Sequence, residues 1–193
     1  MQIICSLIYL QSVSIEDEKS LGLLTECLNR VKSMALIHEE LYRSNDFSII
    51  KFKNYIEDLV RKLHKTYPLD YDKVKINLLV DDISLSVEHA IPCGLIINEL
   101  LTNALKYAFP ESFEGIGEIT ISMQKTEDGE IELFVQDNGV GFPEDFDLES
   151  AETCGMEIVK VLAADQLEGR YELRRNGITK FYICFSQPAE WID

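Results

Sequence analysis

Two β-hairpin signals in the C-terminal half of the chain restrict its fold more than any other feature. Residues 117–139 and residues 169–185 each contain two runs in which apolar and polar residues alternate. In each case the two runs flank a turn with glycine, Asp128-Gly129 in the first and Asn176-Gly177 in the second. Alternation of this kind around a short glycine turn is typical of paired antiparallel strands. The pattern therefore predicts a mostly antiparallel sheet.

Helical segments and one further strand accompany these hairpins. Residues 52–63 carry apolar side chains at helical spacing, residues 73–80 alternate as a strand does, and Ser86 is placed to cap a following helix. Between the hairpins, an acidic loop with glycine and proline leads into a helix that begins near Gly155. The order is helix, strand, helix, hairpin, loop, helix, hairpin. It predicts an α+β fold, a two-layer α/β sandwich whose helices cover one face of the sheet.

The N-terminal region has helical patterns alone. Residues 1–12 place apolar side chains at helical spacing, and Ser14, three residues before Asp17, is a plausible N-cap for a helix that runs to about Tyr42. That second helix carries one row of residues at alternating steps of three and four, with a second row beside it: Leu21, Leu24, Leu28, Val31, Ala35, His38 and Tyr42, and then Cys27, Met34 and Leu41. A strip this wide fits a helical hairpin that pairs with another hairpin, as in a four-helix bundle. The alternative is a helix packed on its own domain.

A break in the helical pattern at residues 43–48 divides the chain. With 193 residues, 46% of them hydrophobic, the sequence suffices for one good-sized domain and a smaller element. We predict a partial helical hairpin over residues 1–46 and the α/β sandwich over residues 47–193.

Charge and cysteine usage exclude several classes of function. The net charge is −16, and the isoelectric point is near 4.5, so neither nucleic acid nor an anionic membrane is an expected partner. The five cysteines are scattered without a C-x-x-C pair, which favours a reducing compartment over a zinc site. No apolar run is long enough to span a membrane, and the short apolar N-terminus lacks the basic region and cleavage site of a signal peptide.

A polar stripe on an otherwise apolar helix marks the first site for chemistry. In "NELLTNALKYAF", residues 98–109, the side chains of Glu99, Asn103 and Lys106 lie at i, i+4 and i+7 and so face one side of the helix. A core helix does not carry an acid, an amide and an amine in line unless something satisfies them. The stripe therefore indicates a binding site.

Two glycine-containing stretches are further sites for chemistry. In "VQDNGVGFP", Asp137 ends a buried strand, and Gly139 and Gly141 would let the backbone approach a flat ligand closely. An Asn-Gly turn capped by Asp137 explains the same residues without a ligand. In "ETCGMEIV", Gly155 opens a helix whose free amides and dipole favour an anion, although a glycine before a helix is weak evidence alone.

Taken together, the three stretches resemble the ATP-binding domain shared by gyrase, the heat-shock chaperone of ninety kilodaltons, histidine kinases and mismatch-repair ATPases. "NELLTNALKYAF" resembles the N box, "DNGVGF" the G1 box and "TCGMEIV" the G2 box, while "GITKF" resembles the strand beside the adenine. The resemblance covers about residues 50–187. The N and G1 boxes together are highly specific, and the G2 box is degenerate.

The resemblance implies a role for each residue of the N box. Glu99 would orient a metal-bound water or act as a base, and Lys106 would reach toward phosphate; these two are the implied catalytic residues. Asn103 would offer its side-chain oxygen to Mg²⁺, a cation that takes oxygen ligands. Tyr107 would lie near the ribose or the base.

The glycine boxes are implied to hold the rest of the nucleotide. Asp137 would accept a hydrogen bond from the adenine amino group, helped through a water by Thr179, while Gly139 and Gly141 allow close approach of the base. Gly155, followed by Met156, would start the helix whose amides hold the phosphates. Residues 143–154 would be the ATP lid. Because the lid is acidic, we expect it to stay mobile until Mg-ATP binds.

The first 45 residues are similar to the dimerisation hairpin of one bacterial and archaeal subfamily of sensor histidine kinases. The similarity lies in "MQIICSLIYLQS" and "ALIHEELY". That subfamily carries an H-x-x-K-N-N-type phosphoacceptor box just before such a segment. The resemblance thus implies that the phosphoacceptor is absent from this chain, which would then be unable to phosphorylate itself. We expect His38 to be packed or interfacial, His64 to lie at a surface helix end, and His89 to be a cap or surface residue.

The resemblance implies a cytoplasmic kinase core with ATP and Mg²⁺ as cofactors. It would donate the γ-phosphoryl group to a histidine outside this chain, for transfer to an aspartate on a response-regulator receiver domain. A homodimer, weakened by truncation, is the expected assembly, and attachment of the parent protein to a membrane through other regions stays open. The alternatives are a dimeric nucleotide switch without kinase activity and a serine kinase that regulates sigma factors. The N-terminal hairpin argues against the serine kinase.

Overall fold

A computed structural model of the protein describes residues 2–13, 15, 17–43, 49–66, 73–142, 154–175 and 177–188. The predicted lid lies outside the described residues except for Cys154, and the predicted cap Ser14 lies outside them altogether. The helices are α1 Gln2–Val13, α2 Glu18–Arg43, α3 Phe52–Thr66, α4 Val87–Asn103 and α5 Cys154–Val161. The strands are β1 Ile49–Lys51, β2 Val74–Val80, β3 Ser84–Ser86, β4 Gly117–Lys125, β5 Ile131–Asp137, β6 Arg170–Arg174 and β7 Thr179–Phe185.

The main sheet has five strands in the order β2-β4-β5-β7-β6. β2 runs parallel to β4, and every other neighbouring pair is antiparallel. Both predicted hairpins are present, β4 with β5 and β6 with β7, and the α+β class is confirmed. A second, two-stranded sheet of β1 and β3 was not predicted, because three-residue strands are too short to show alternation.

The core lies between the main sheet and the helices. Along β5, the side chains of Ile131, Leu133 and Val135 are buried, while the residues between them are partly exposed. They join one apolar cluster with residues of α3, α4 and α5. This alternation gives the sheet one covered face, as predicted.

The second half of α2 belongs to the same apolar core as the sheet. Leu36, Ile37 and Leu41 are buried in it, and α2 contacts α3, α4 and β1. The Ser33 and Tyr55 hydroxyls form a buried hydrogen bond of 2.7 Å between α2 and α3. The alternative of a helix packed on its own domain therefore applies to this half of α2. Its buried face also includes polar residues that the predicted apolar rows did not contain.

The N-terminus of α2 is capped by Asp17. Its carboxylate accepts hydrogen bonds from the backbone N–H of Ser20 at 2.8 Å and from the Ser20 hydroxyl at 2.6 Å. α1 packs on α2 but leaves most of its own apolar side chains exposed: Ile3, Ile4, Leu7, Tyr9, Leu10 and Val13. Among the described residues, no helix is both long enough and apolar enough to cross a membrane.

Candidate active site

The N-box helix α4 carries the predicted polar stripe. Ser86 occupies its N-cap position, as predicted, but the serine side chain makes no capping hydrogen bond. The helix is buried on most sides, including every residue from Pro92 to Glu99. The helix ends in a wider π-helical turn, Ala104–Ala108, which contains Lys106 and Tyr107. Such turns are frequent at functional sites. Tyr107 is 65% exposed.

Glu99 is buried and paired with an arginine from α2. Arg30 donates from Nε to Glu99 Oε1 and from Nη2 to Glu99 Oε2, both at 2.8 Å. The two side chains are 14% and 8% exposed. This forked geometry is the strong form of a charge-assisted pair. Both carboxylate oxygens of Glu99, the residue implied as a base, are thus hydrogen-bonded to α2.

Lys106 is paired with the same helix. Its ammonium group donates to Glu26 Oε1 at 2.8 Å, and Glu26 lies 3.9 Å from Arg30, one turn along α2. Four charges of alternating sign, Glu26, Arg30, Glu99 and Lys106, therefore connect α2 to the N box. We call these four residues the charge cluster. Sequence reasoning missed Glu26 and Arg30, whose i, i+4 spacing looks like an ordinary helix-surface pair.

The start of α5 lies against the polar stripe of α4. A Cβ at position 155 would stand 2.9 Å from Glu99 Oε2, so a larger residue there would displace the Glu99 carboxylate. Asn103 Nδ2 lies 3.7 Å from the sulfur of Met156. The structure thus brings together four predicted residues from distant parts of the chain, Glu99, Asn103, Gly155 and Met156.

The donors near Asn103 fit Mg²⁺ bound mainly through phosphate. Glu99 and Asn103 offer side-chain oxygens one turn apart on α4, and oxygen is the donor that Mg²⁺ prefers. Two neighbouring buried oxygens, Asn98 Oδ1 and Thr102 Oγ1, have no hydrogen-bond partner. Across the described part of the chain, no group of three or more His, Cys, Asp or Glu could hold a metal unaided. Mg²⁺ usually keeps waters and binds through one or two protein groups plus substrate phosphates, so this sparse set is compatible with it.

Asp137 and Thr179 form the second group of predicted residues. They are directly opposite each other on β5 and β7, and Asp137 is 9% exposed. Burial raises the pKa of the Asp137 carboxyl, while hydrogen bonds from the Gly139 N–H and from Thr179 oppose that shift. The Gly139 N–H donates to Asp137 Oδ1 at 3.0 Å. The predicted turn that Asp137 caps is therefore present, and it holds the carboxylate in one orientation.

Gly139 connects the two groups. A Cβ at this position would overlap the backbone and side chain of Ala108, and the Val140 N–H donates to the Ala108 carbonyl at 2.9 Å. The structure thus shows Gly139 packed closely against the end of the N-box helix, and the close approach of a base at this glycine stays a prediction. Gly141 adopts φ of 75°, a left-handed conformation that favours glycine. Asn138, which sequence reasoning did not single out, fixes the turn to β4 through its side-chain amide.

The histidines occupy three different environments. His38 is exposed, so within this chain it is not the packed residue that was expected, and an interfacial role stays a prediction. The side chain of His64 lies outside the described part of the structure. His89 is partly buried; its ring stacks on Phe185, and its Nδ1 lies 2.8 Å from the Ser86 hydroxyl. Burial lowers the pKa of His89.

Comparison with known proteins agrees with this geometry. Residues 70–189 match the family model of histidine kinase-, DNA gyrase B- and HSP90-like ATPases, and residues 1–67 match a histidine kinase model. The sensor histidine kinase PdtaS of Mycobacterium tuberculosis is 28% identical over 90% of this chain and 34% of its own length. The blue-light-activated histidine kinase 2 of Erythrobacter litoralis is 35% identical over 46% of this chain and 25% of its own length. This chain therefore spans about a third or less of these curated relatives.

A solved structure shares the fold over nearly the whole chain. The histidine kinase domain of the Erythrobacter litoralis EL346 blue-light-activated histidine kinase superposes with a TM-score of 0.75 at 21% identity. The superposition covers 96% of this chain and 95% of that domain. At this level of identity the likeness supports the fold alone, including the N-terminal helices.

Proposed function

This chain belongs to the histidine kinase-, DNA gyrase B- and HSP90-like ATPase family, and from that premise we propose that it is the kinase core of a two-component sensor histidine kinase. It would bind Mg-ATP between α4, α5 and the adjoining ends of β5 and β7. One observation carries the proposal: residues 99–108 contact the start of α5 near one end and the Gly139 turn at the other. The N box, residues 99–108, is thus in contact with both the G2 box at the start of α5 and the G1 box at the Gly139 turn.

The base would be bound by Asp137 and Thr179. A buried carboxylate held in place by the Gly139 N–H has oxygen lone pairs left to accept a hydrogen bond from an exocyclic amine. Gly141 offers no Cβ to obstruct a flat ring. Adenine carries such an amine, and guanine does not carry it at the same position, so this end of the site would select the base.

The phosphates would lie between Asn103, Lys106 and the start of α5. Mg²⁺, when bound, would neutralise phosphate charge, and Asn103 is the side chain that would hold it. Lys106 would contact a phosphate as a point charge, and the backbone N–H groups after Gly155 would donate hydrogen bonds to the phosphate oxygens. Glu99 would orient a water or take the proton of the acceptor. Catalysis in this arrangement is mostly positioning and electrostatic stabilisation.

The acceptor would be a histidine outside these 193 residues, followed by an aspartate on a response-regulator receiver domain. The apolar side chains that α1 exposes support a homodimer in which two hairpins pair into a four-helix bundle. Our proposed division places the hairpin in residues 1–46 and the ATP-binding domain in residues 47–193.

A calorimetric titration tests nucleotide binding. We expect ATP to bind the 193-residue chain in the presence of Mg²⁺, to bind more weakly after Mg²⁺ is removed, and to be preferred over GTP. Equal affinity for ATP and GTP would contradict the assignment of Asp137. Absence of binding at millimolar Mg-ATP would remove the proposal.

Phosphoryl transfer is tested in trans. The chain is incubated with γ-labelled ATP and a partner polypeptide that includes the preceding helix but has an inactivated ATP site. Acid-labile label on the partner supports the kinase, and Glu99→Gln in the chain should abolish it. Glu57→Gln, the same change at an exposed residue of α3, is the matched control, and it should label the partner as the unmodified chain does. Binding without transfer would favour the alternative of a nucleotide switch.

A further inference from the structure

Glu26 and Arg30 carry charges opposite to those of the two N-box residues that they contact, Lys106 and Glu99. They lie one turn apart on α2, and each contacts the N-box residue of opposite charge at 2.8 Å. Neither belongs to the boxes that define the nucleotide site. Both come from the helix that continues the N-terminal hairpin, so a separate part of the chain reaches the phosphate end of the site.

These contacts occupy the groups that the nucleotide would need. Both oxygens of Glu99 accept hydrogen bonds from Arg30, and Oε1 also accepts one from Asn98 Nδ2 at 3.3 Å, so the carboxylate is held toward α2 and its charge is offset by the guanidinium. The Lys106 ammonium is neutralised by Glu26, and a carboxylate beside it repels phosphate. The Arg30 guanidinium also stands 3.9 Å from the Cβ position of Gly155, at the start of α5.

We propose that Glu26 and Arg30 form an autoinhibitory clamp that competes with Mg-ATP for the N box. The inference rests on the proposed function, since it concerns the same site. In the clamped state Glu99 and Lys106 are bound to α2, and in the open state they face the nucleotide. Mg-ATP and α2 then weaken each other's binding, because coupling between two ligands of one site is reciprocal.

The Arg30–Glu99 and Lys106–Glu26 ion pairs are expected to differ in strength. The Arg30–Glu99 pair is forked and almost buried, which makes it the stronger contact. The Lys106–Glu26 pair is 24% and 29% exposed, and such pairs contribute little. A purely structural ion pair would hold α2 in place without affecting nucleotide affinity, and this difference makes the clamp testable.

The experiment compares Mg-ATP affinity among four variants of the full 193-residue chain by calorimetry. Arg30→Gln removes the charge of the stronger contact, Arg30→Lys keeps the charge but loses the fork, and Glu26→Gln removes the weaker contact. Glu39→Gln is the matched control. Glu39 also pairs with the ATP-binding half from α2, at 3.4 Å from Lys62, but it lies away from the N box.

We expect Arg30→Gln to bind Mg-ATP about 5- to 150-fold more tightly than the unmodified chain, the range typical of coupled sites. The Mg-ATP affinity of Arg30→Lys should lie between the affinities of Arg30→Gln and of the unmodified chain. Glu26→Gln should bind Mg-ATP about twofold to fivefold more tightly, because an exposed ion pair contributes little. Glu39→Gln should bind as the unmodified chain does. In hydrogen exchange, Mg-ATP should lower the protection of α2 around Glu26 in the unmodified chain.

Thermal unfolding of each variant shows whether it is folded, because Arg30→Gln leaves Glu99 buried without its partner. Should that variant unfold, Arg30→Lys and Glu26→Gln decide the question. Unchanged or weaker affinity in the Arg30 variants, with normal binding by the unmodified chain, overturns the clamp and leaves the proposed function intact. Absence of binding by every protein, the unmodified chain included, overturns both.

Discussion

The two ends of the candidate site are built in different ways. At the base end, Asp137, Thr179 and Gly139 are positioned by strand pairing and by one turn, all within the C-terminal sandwich. At the phosphate end, Glu99 and Lys106 are bound to α2, a helix from the other half of the chain. The base end is therefore positioned by the sheet, whereas the phosphate end is in contact with α2. In the proposed function, recognition of the base and control of the chemistry would thus be separated.

Substitution of Asp137 tests the base end most strongly. We expect Asp137→Ala to weaken Mg-ATP binding by about 10- to 150-fold, since a hydrogen bond to a charged group contributes roughly 1.5–3 kcal/mol. Glu132→Gln on the same strand is the control, because Glu132 lies on the opposite face and accepts a hydrogen bond from Tyr182 at 2.6 Å. Calorimetry measures Mg-ATP affinity in both variants. An equal loss of affinity in both would show that the effect of Asp137→Ala does not come from a contact between Asp137 and the base.

Gly139 tests the connection between the two ends. Gly139→Ala should lower the free energy of unfolding by about 1–3 kcal/mol, because the added methyl group overlaps Ala108 at the end of the N box. Urea denaturation measures the change. Gly22→Ala on α2 is the control: no atom lies within 4 Å of its Cβ position, and alanine should stabilise that helix by about 1 kcal/mol. Wild-type stability in Gly139→Ala would mean that the two ends are not tightly packed together.

The Ser33–Tyr55 hydrogen bond tests whether α2 is part of the sandwich. Tyr55→Phe leaves a buried serine hydroxyl without its partner, and we expect a loss of about 1 kcal/mol in unfolding free energy. The double variant Ser33→Ala/Tyr55→Phe should lose less than the two single losses added together, because it removes both partners. Strict additivity in urea titrations would show that the two hydroxyls do not interact in solution.

The pH dependence of binding should give the smallest effect and should arise at the base end. Burial raises the pKa of Asp137 above its ordinary value of 3.8, and the ionised form is the one that accepts two hydrogen bonds. ATP affinity should therefore be complete above the raised pKa and decline as the pH falls through it toward 3.8. For folding alone the sign is opposite, since ionisation of this buried group costs stability as the pH rises through the same window. An Asp137→Asn variant should bind weakly with a flatter profile.

Local patterns predicted the elements of the fold better than their contacts. Alternation and glycine turns are properties of neighbouring residues, so both hairpins and the positions of Asp137 and Gly155 followed from the sequence. The Arg30–Glu99 pair joins residues 69 positions apart, and nothing near Arg30 marks it. The buried face of α2 was also difficult to predict. The surface of α2 that packs on α1 and on the sandwich includes the buried polar residues Asn29 and Ser33. A search for rows of apolar residues does not find them.

The apolar residues that α2 contributes to the sandwich have a consequence for truncation. A product cut at the predicted boundary before residue 47 would lose Leu36, Ile37 and Leu41, and each fully buried leucine or isoleucine contributes about 1.5–3 kcal/mol. That total is comparable to the whole stability margin of many domains. The shortened product would expose apolar residues of α3, α4 and β1 that α2 covers, and such exposed apolar surface favours self-association. Affinities measured on it would describe a site without the contacts from Glu26 and Arg30 and without part of its core.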